Sequence, residues 1–149
     1  MKVSQKAIIL IKHHEGVRNK PYKCPAGLWT VGVGHLIGDG RTLPDEWNKT
    51  FTQEEIDAIL KRDLNRFELG VCKMLPSVQL KQCEFDALVS FSFNLGLGTL
   101  QRSTLRQALL RGDKKKAMES LLKYCRAGGK VIKGLQRRRQ EEYKLFLRG

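Results

Sequence analysis

The chain has 149 residues, 41% of them apolar, and a formal charge of +13 from 28 basic and 15 acidic side chains. A chain of this length buries roughly 68–70% of its unfolded surface, so it needs no disulfide or metal staple, and nothing in its composition suggests disorder. The charge calls for a polyanionic partner: nucleic acid, an anionic membrane or an acidic cell envelope.

The first element expected is a helix capped by Ser4 and running to about His14. Ala7, Ile8 and Ile11 recur at helical spacing, and Glu15 continues that stripe before Gly16. The run from Ala7 to Ile11 is shorter than the roughly 7–15 residues of a signal-peptide core, and no stretch approaches the roughly 20 of a membrane span. Retention in the cytoplasm until release is the resulting expectation. Cysteines stand at 24, 72, 83 and 125 without a CxxC pair, so free thiols are expected and a zinc site is not.

Residues 18–47 are punctuated by Pro and Gly and read as short strands. In Trp29-Thr-Val-Gly-Val-Gly-His35, alternation sends Trp29, Val31, Val33 and His35 one way and Thr30, Gly32 and Gly34 the other. A Thr-Gly-Gly face admits a ligand or another backbone; a bulged edge strand is an equal reading. Thr52-Gln-Glu-Glu55 is a capping box, and Ile56, Leu60, Asp63 and Phe67 form the inner stripe of the helix it opens. A carboxylate on that stripe needs a partner, for which His35 is the candidate. Residues 77–95 are apolar nearly all round, as in a lobe's central helix, and end at Asn94-Leu-Gly-Leu-Gly98. Ser103 and Asp113 cap two shorter helices, and a basic helix runs from about Leu135 to Leu147. Residues 101–149 carry 15 Lys/Arg and four Asp/Glu, or +11 of the total charge. The expected fold is α+β, a single domain over 1–149. Its β-rich lobe spans about 16–50 and its helical lobe about 51–149 plus helix 4–14, with a cleft between them.

Glu15 leaves a helix C-terminus beside an apolar stripe, and both features work against a negative charge. A proton donor to a poor leaving oxygen, as in glycosidic cleavage, requires that setting. A solvated Glu before a helix stop is the plainer reading of these residues alone. The neighbours add to it. Glu15-Gly16-(x)5-Tyr22 followed by Trp29-Thr30-Val-Gly32-Val-Gly34-His35 resembles the phage lysozyme family, glycoside hydrolase family 24. So do Gln82-x-Glu-Phe-Asp-Ala-Leu-Val-Ser-Phe-x-Phe-Asn94-x-Gly-x-Gly98, Ser103-Thr-Leu and Gly134-Leu-x-Arg-Arg-x-x-Glu141, in the family's order along the whole chain.

The resemblance implies a lysozyme-like fold and an endolysin that hydrolyses the β-1,4 bond between N-acetylmuramic acid and N-acetylglucosamine during host lysis. It implies a catalytic Glu, an Asp nine residues on and a Thr six further. Glu15 and Thr30 match; Cys24 stands where Asp is expected. Asp and Thr would hold water on the far face of the sugar, which implies inversion with carboxylates about 6.5–9.5 Å apart. Cys24 then acts as water holder or base, or as a nucleophile giving retention. If it is inert, Asp39 and Asp45 are the nearby carboxylates, or the enzyme is a lytic transglycosylase. Phe93 and Asn94 match glycan-contacting positions, Gly32 lies on the open strand face, and one of Arg137, Arg138 and Arg139 (Arg138 is taken) approaches the acid. His35 and Asp63 match a buried structural pair. No metal or cofactor is expected. The partners are the peptidoglycan strand and, through the basic last helix, anionic outer-membrane or envelope polymers; the protein is expected to be a monomer released by a holin.

Three competing readings remain. A thiol peptidase or amidase would use Cys24 as nucleophile and His35 as base. A nucleic-acid-binding protein would use Lys114 to Lys116 and Arg137 to Arg139 on phosphates, although no known binding motif accompanies them. A metal amidase is disfavoured because adjacent His13 and His14 should diverge on a helix and no HExxH motif occurs.

Overall fold

In the structure, a computed structural model describing residues 1–148, helix α1 (Gln5–Glu15) opens the chain. The chain divides into two compact units, residues 11–65 and residues 1–10 with 66 onward. The division falls between residues 65 and 66, inside the second helix.

Within residues 11–65, β1 (Arg18–Lys23), β2 (Trp29–Gly32) and β3 (His35–Leu36) form an antiparallel sheet in that order. Thr30 faces Tyr22 on one side and Leu36 on the other, and β1 bulges between Arg18 and Tyr22. The strand expected to run to His35 stops at Gly32, since Gly32 and Gly34 both take φ +68° and turn the chain. An L side chain at such a φ costs about 1–2 kcal/mol. Val33 stays in the core at the tip of this turn. A 3₁₀ turn (Asp45–Trp47) leads to α2 (Gln53–Met74), which starts at the expected capping box. Glu55 N–H donates to Thr52 Oγ1 at 3.1 Å, and Thr52 N–H donates to Glu55 Oε1 at 2.9 Å. Ile11, Val31, Ile56 and Leu60 close this unit's core.

The other unit is built round α3 (Gln82–Leu95), where Phe85, Leu88, Val89 and Phe91 are fully buried. Burying each of these contributes about 1.5–3 kcal/mol. Then come α4 (Leu97–Gln101), α5 (Thr104–Leu110) and α6 (Lys114–Leu122). Ser103 and Asp113 cap α5 and α6 as expected, each accepting a backbone N–H at 3.0 Å. A small hairpin, β4 (Arg126–Ala127) with β5 (Lys130–Val131), turns on Gly128 and Gly129, both with positive φ. It was not foreseen, being only two residues deep. The last helix, α7 (Lys133–Leu147), packs along α3 and starts two residues before its expected position. Ser4 departs from its expected capping role: its hydroxyl donates to Asp86 Oδ2 and its N–H to Asp86 Oδ1 at 2.9 Å. A nearly fully buried carboxylate is the stronger acceptor. Among the described residues, no helix is long and apolar enough to cross a membrane.

Candidate active site

Glu15 is the last residue of α1, and the helix stops there because Gly16 takes φ +79°. Gly16 N–H closes the final turn on Lys12 O at 2.8 Å. The Glu15 side chain is half-buried. Its carboxylate lies over the glycine turn, since a methyl group at Gly34 would sit 3.4 Å from Glu15 Oε1. Thus one glycine stops the helix at the carboxylate and another clears the backbone beneath it. Gly34→Ala is expected to lose about 1–2 kcal/mol of stability, from the left-handed φ alone. Denaturant unfolding measures this; an unchanged midpoint would contradict it.

Cys24 opens the loop between β1 and β2. Gly27 N–H donates to Cys24 O at 2.7 Å and Cys24 N–H to Leu28 O at 2.9 Å. Pro25 takes the second turn position, Ala26 keeps a negative φ, and Gly27 takes φ +78°, as in a type I turn with a glycine bulge. The first position of such a turn favours Asp, whose side chain collects amides from the residues that follow. The Cys24 sulfur collects the same amides. The Leu28 N–H lowers the thiol's pKa from its ordinary value most, desolvation opposes it, and the Ala26 N–H and Thr30 hydroxyl assist. Thr30 is buried on β2, and its hydroxyl donates to Leu28 O at 3.0 Å. A hydroxyl has one proton, so Thr30 serves either that carbonyl or the charged sulfur. The hairpin therefore brings the Thr30 hydroxyl to the Cys24 sulfur.

Gly32 does not present an open face. A methyl group there would meet Ile56 Cδ1 at 3.2 Å, so this glycine admits helix α2. His35 Nδ1 lies 2.8 Å from Asp63 Oδ2, the partner expected for the carboxylate on the α2 stripe. The pair is about a quarter exposed rather than buried, and the His35 ring stacks on Trp47 at 5.6 Å. Trp47 was not anticipated, because a lone aromatic in an irregular segment has no periodicity to reveal it. His35 is thus paired with Asp63 and stacked on Trp47, and among the described residues no hydrogen bond links it to Cys24. Asp39 accepts the Arg41 N–H at 2.9 Å, and Asp45 begins the 3₁₀ turn. His13 and His14 lie edge to face, ring centroids 5.0 Å apart, so these neighbours do not diverge as expected.

In the other unit, α3 passes from fully buried at Ser92 to half-exposed at Phe93 and Asn94. Phe93 packs on Phe67, centroids 5.2 Å apart. Of the three consecutive arginines, Arg137 is exposed while Arg138 and Arg139 turn inward. Arg138, 3% exposed, donates to Glu142 Oε2 at 3.3 Å and Ser90 O at 3.1 Å. Arg139, fully buried, pairs with Glu142 Oε1 at 2.9 Å and donates to Asn94 Oδ1 at 2.6 Å. Glu142 is itself fully buried and takes the Ser90 hydroxyl at 2.6 Å. Burial pushes its carboxyl pKa up, while the two guanidiniums and Ser90 oppose that. Glu142 was missed, although its spacings of three and four from Arg139 and Arg138 put all three on one helix face. Glu142→Gln keeps the shape but removes the charge that holds two guanidiniums. It is expected to cost about 1.5–3 kcal/mol, read from chemical denaturation; a loss near zero would mean that the arginines do not depend on it.

The model of the family described as phage lysozyme matches residues 12–142. The endolysin of Bacillus phage B103 is 42% identical over 151 residues, covering 100% of this chain and 55% of that protein. The endolysin of Acyrthosiphon pisum secondary endosymbiont phage 1 is 36% identical, covering 98% of each. The chain thus spans about half the length of the Bacillus phage relative and nearly all of the second. Among solved structures, the muramidase domain of SpmX from Asticaccaulis excentricus superposes with a TM-score of 0.86, at 32% identity and 99% coverage of both chains. A P22 lysozyme variant superposes at 0.85, with 31% identity and 99% coverage of both.

Proposed function

The chain belongs to the phage lysozyme family, and from that premise we propose that it is an endolysin of the muramidase type. The reaction is hydrolysis of the β-1,4 bond between N-acetylmuramic acid and N-acetylglucosamine in peptidoglycan. The observation that carries this reading is a half-buried Glu15 closing a helix over the Gly34 turn, in the same unit as a hairpin that pairs a low-pKa Cys24 with Thr30.

Glu15 is the general acid that protonates the leaving oxygen. Cys24, as thiolate, takes the part of the missing Asp, and Thr30 helps it hold the water. Support comes from the turn: its amides face the sulfur as they would a carboxylate. Water delivered to the face opposite the leaving group inverts the anomeric carbon, so the first-formed product is the α-anomer. Phe93 and Asn94 bind the glycan, while Arg138 supports that binding from beneath rather than by contact, given its burial. The polymer's anionic groups suit a chain of charge +13, whose exposed Lys133, Arg137 and Lys144 lie on α7. Arrival at the wall through a holin-made pore, and action as a monomer, complete the proposal.

Digestion of purified peptidoglycan tests it. New muramic acid reducing ends, one water heavier than the 1,6-anhydro product, support hydrolysis. Anhydro ends would reassign the enzyme as a lytic transglycosylase, and new amino groups without reducing ends would reject a glycosidase altogether.

A further inference from the structure

The arginine that touches Asn94 also decides which way the Asn94 amide faces. A guanidinium offers five N–H donors and no acceptor. Only the oxygen of Asn94 can therefore meet Arg139 Nη2, at 2.6 Å. The Asn94 NH2 group is forced to the other side of the amide, and among the described residues it makes no hydrogen bond within the protein. Arg139 is itself held, by Glu142 Oε1 at 2.9 Å and by the Phe91 ring face 5.1 Å away. Glu142 is anchored in turn by the Ser90 hydroxyl and by Arg138. Phe91, Ser90, Glu142 and Arg139 are all fully buried, so this chain of contacts is shielded from competing water. It ends where α3 emerges to half-exposed Phe93 and Asn94.

We infer that Glu142 is a positioning residue which, through Arg139, presents the Asn94 NH2 group as a fixed donor and makes this part of the site selective for sugars bearing a carbonyl acceptor, as an N-acetyl group does. The inference rests on the glycan-binding reading of Asn94. An amide free to flip offers a donor or an acceptor equally and discriminates little. Locked, it rewards an acetamido oxygen and leaves its donor unpaired opposite a free amino sugar. The effect belongs to ground-state binding, so it appears in KM rather than kcat.

The test compares wild type, Asn94→Leu and Glu142→Gln on N-acetylated glycan strands and on the same strands with acetyl groups removed. The general repulsion between a basic protein and amino sugars is shared by wild type and Asn94→Leu and cancels in the ratio of their preferences, while Glu142→Gln adds one positive charge to the formal +13. Wild type is expected to prefer N-acetylated strands, mainly through KM. Asn94→Leu is expected to lose about three- to tenfold of that preference, and Glu142→Gln part of it, the loss in each lying mainly in KM. A merely structural Glu142 would lower the melting temperature and leave the preference intact, which overturns the inference; so does an unchanged preference in Asn94→Leu. Failure of wild type to cut glycan at all would instead reject the muramidase reading.

Discussion

Glu15→Gln is expected to lower kcat by about 10²–10⁴-fold on peptidoglycan with little change in KM or stability. Gln keeps the shape of the side chain and cannot give up a proton. The lost interaction exists only in the transition state, where the bridging oxygen takes the proton, so kcat and kcat/KM should fall together. The side chain is half-buried at the end of α1, and its removal opens no cavity in the unit's core. Turbidity loss of cell-wall suspensions and reducing-end release both measure the effect. Full activity in this variant would sink the assignment of the acid.

Cys24→Ser should cost about a hundredfold or more in kcat, because a serine hydroxyl does not ionise in the working range. Cys24→Asp should recover most of that loss, since a carboxylate can collect the same turn amides as the sulfur. The pH dependence separates the two variants. A base works when deprotonated, so wild-type activity rises as pH rises through the Cys24 pKa. Amides of the turn hold that pKa below the ordinary thiol value, so the rise comes earlier than for a free thiol. An Asp ionises near 4, so the variant should remain active at lower pH than wild type. Iodoacetamide should inactivate wild type and spare Cys24→Asp, although Cys72, Cys83 and Cys125 are also free thiols. Unchanged activity and pH profile in Cys24→Ser would show the thiol to be idle, and Thr30 would then hold the water alone.

The parts of the molecule legible from the amino-acid order are those decided by neighbours in sequence. Gly16 ends α1 at Glu15, Thr52 and Glu55 start α2 by reciprocal hydrogen bonds three residues apart, and Ser103 and Asp113 cap α5 and α6. The apolar run of α3 marks the centre of the helical unit because it is buried all round. Even the Asp63–His35 pair could be anticipated, since a carboxylate on an apolar stripe must find a partner.

What sequence left open depended on approaches between distant segments. Gly32 serves Ile56 rather than a ligand, which a strand pattern cannot reveal because the filler comes from a helix 24 residues away. Three consecutive arginines read alike as letters, yet burial divides them: Arg137 faces water while Arg138 and Arg139 share Glu142. The Asn94–Arg139 bond spans 45 residues and the Ser90–Glu142 bond 52. Helix capping and glycine turns are local free-energy minima that a short stretch of chain can reach alone. Which polar groups lose their water, and which partner replaces it, is settled only when α7 packs on α3. The sequence by itself thus determined Glu15's position at a helix end and the glycine turn whose amides face the Cys24 sulfur; the tertiary structure decided the partners of the three arginines and the network behind Asn94.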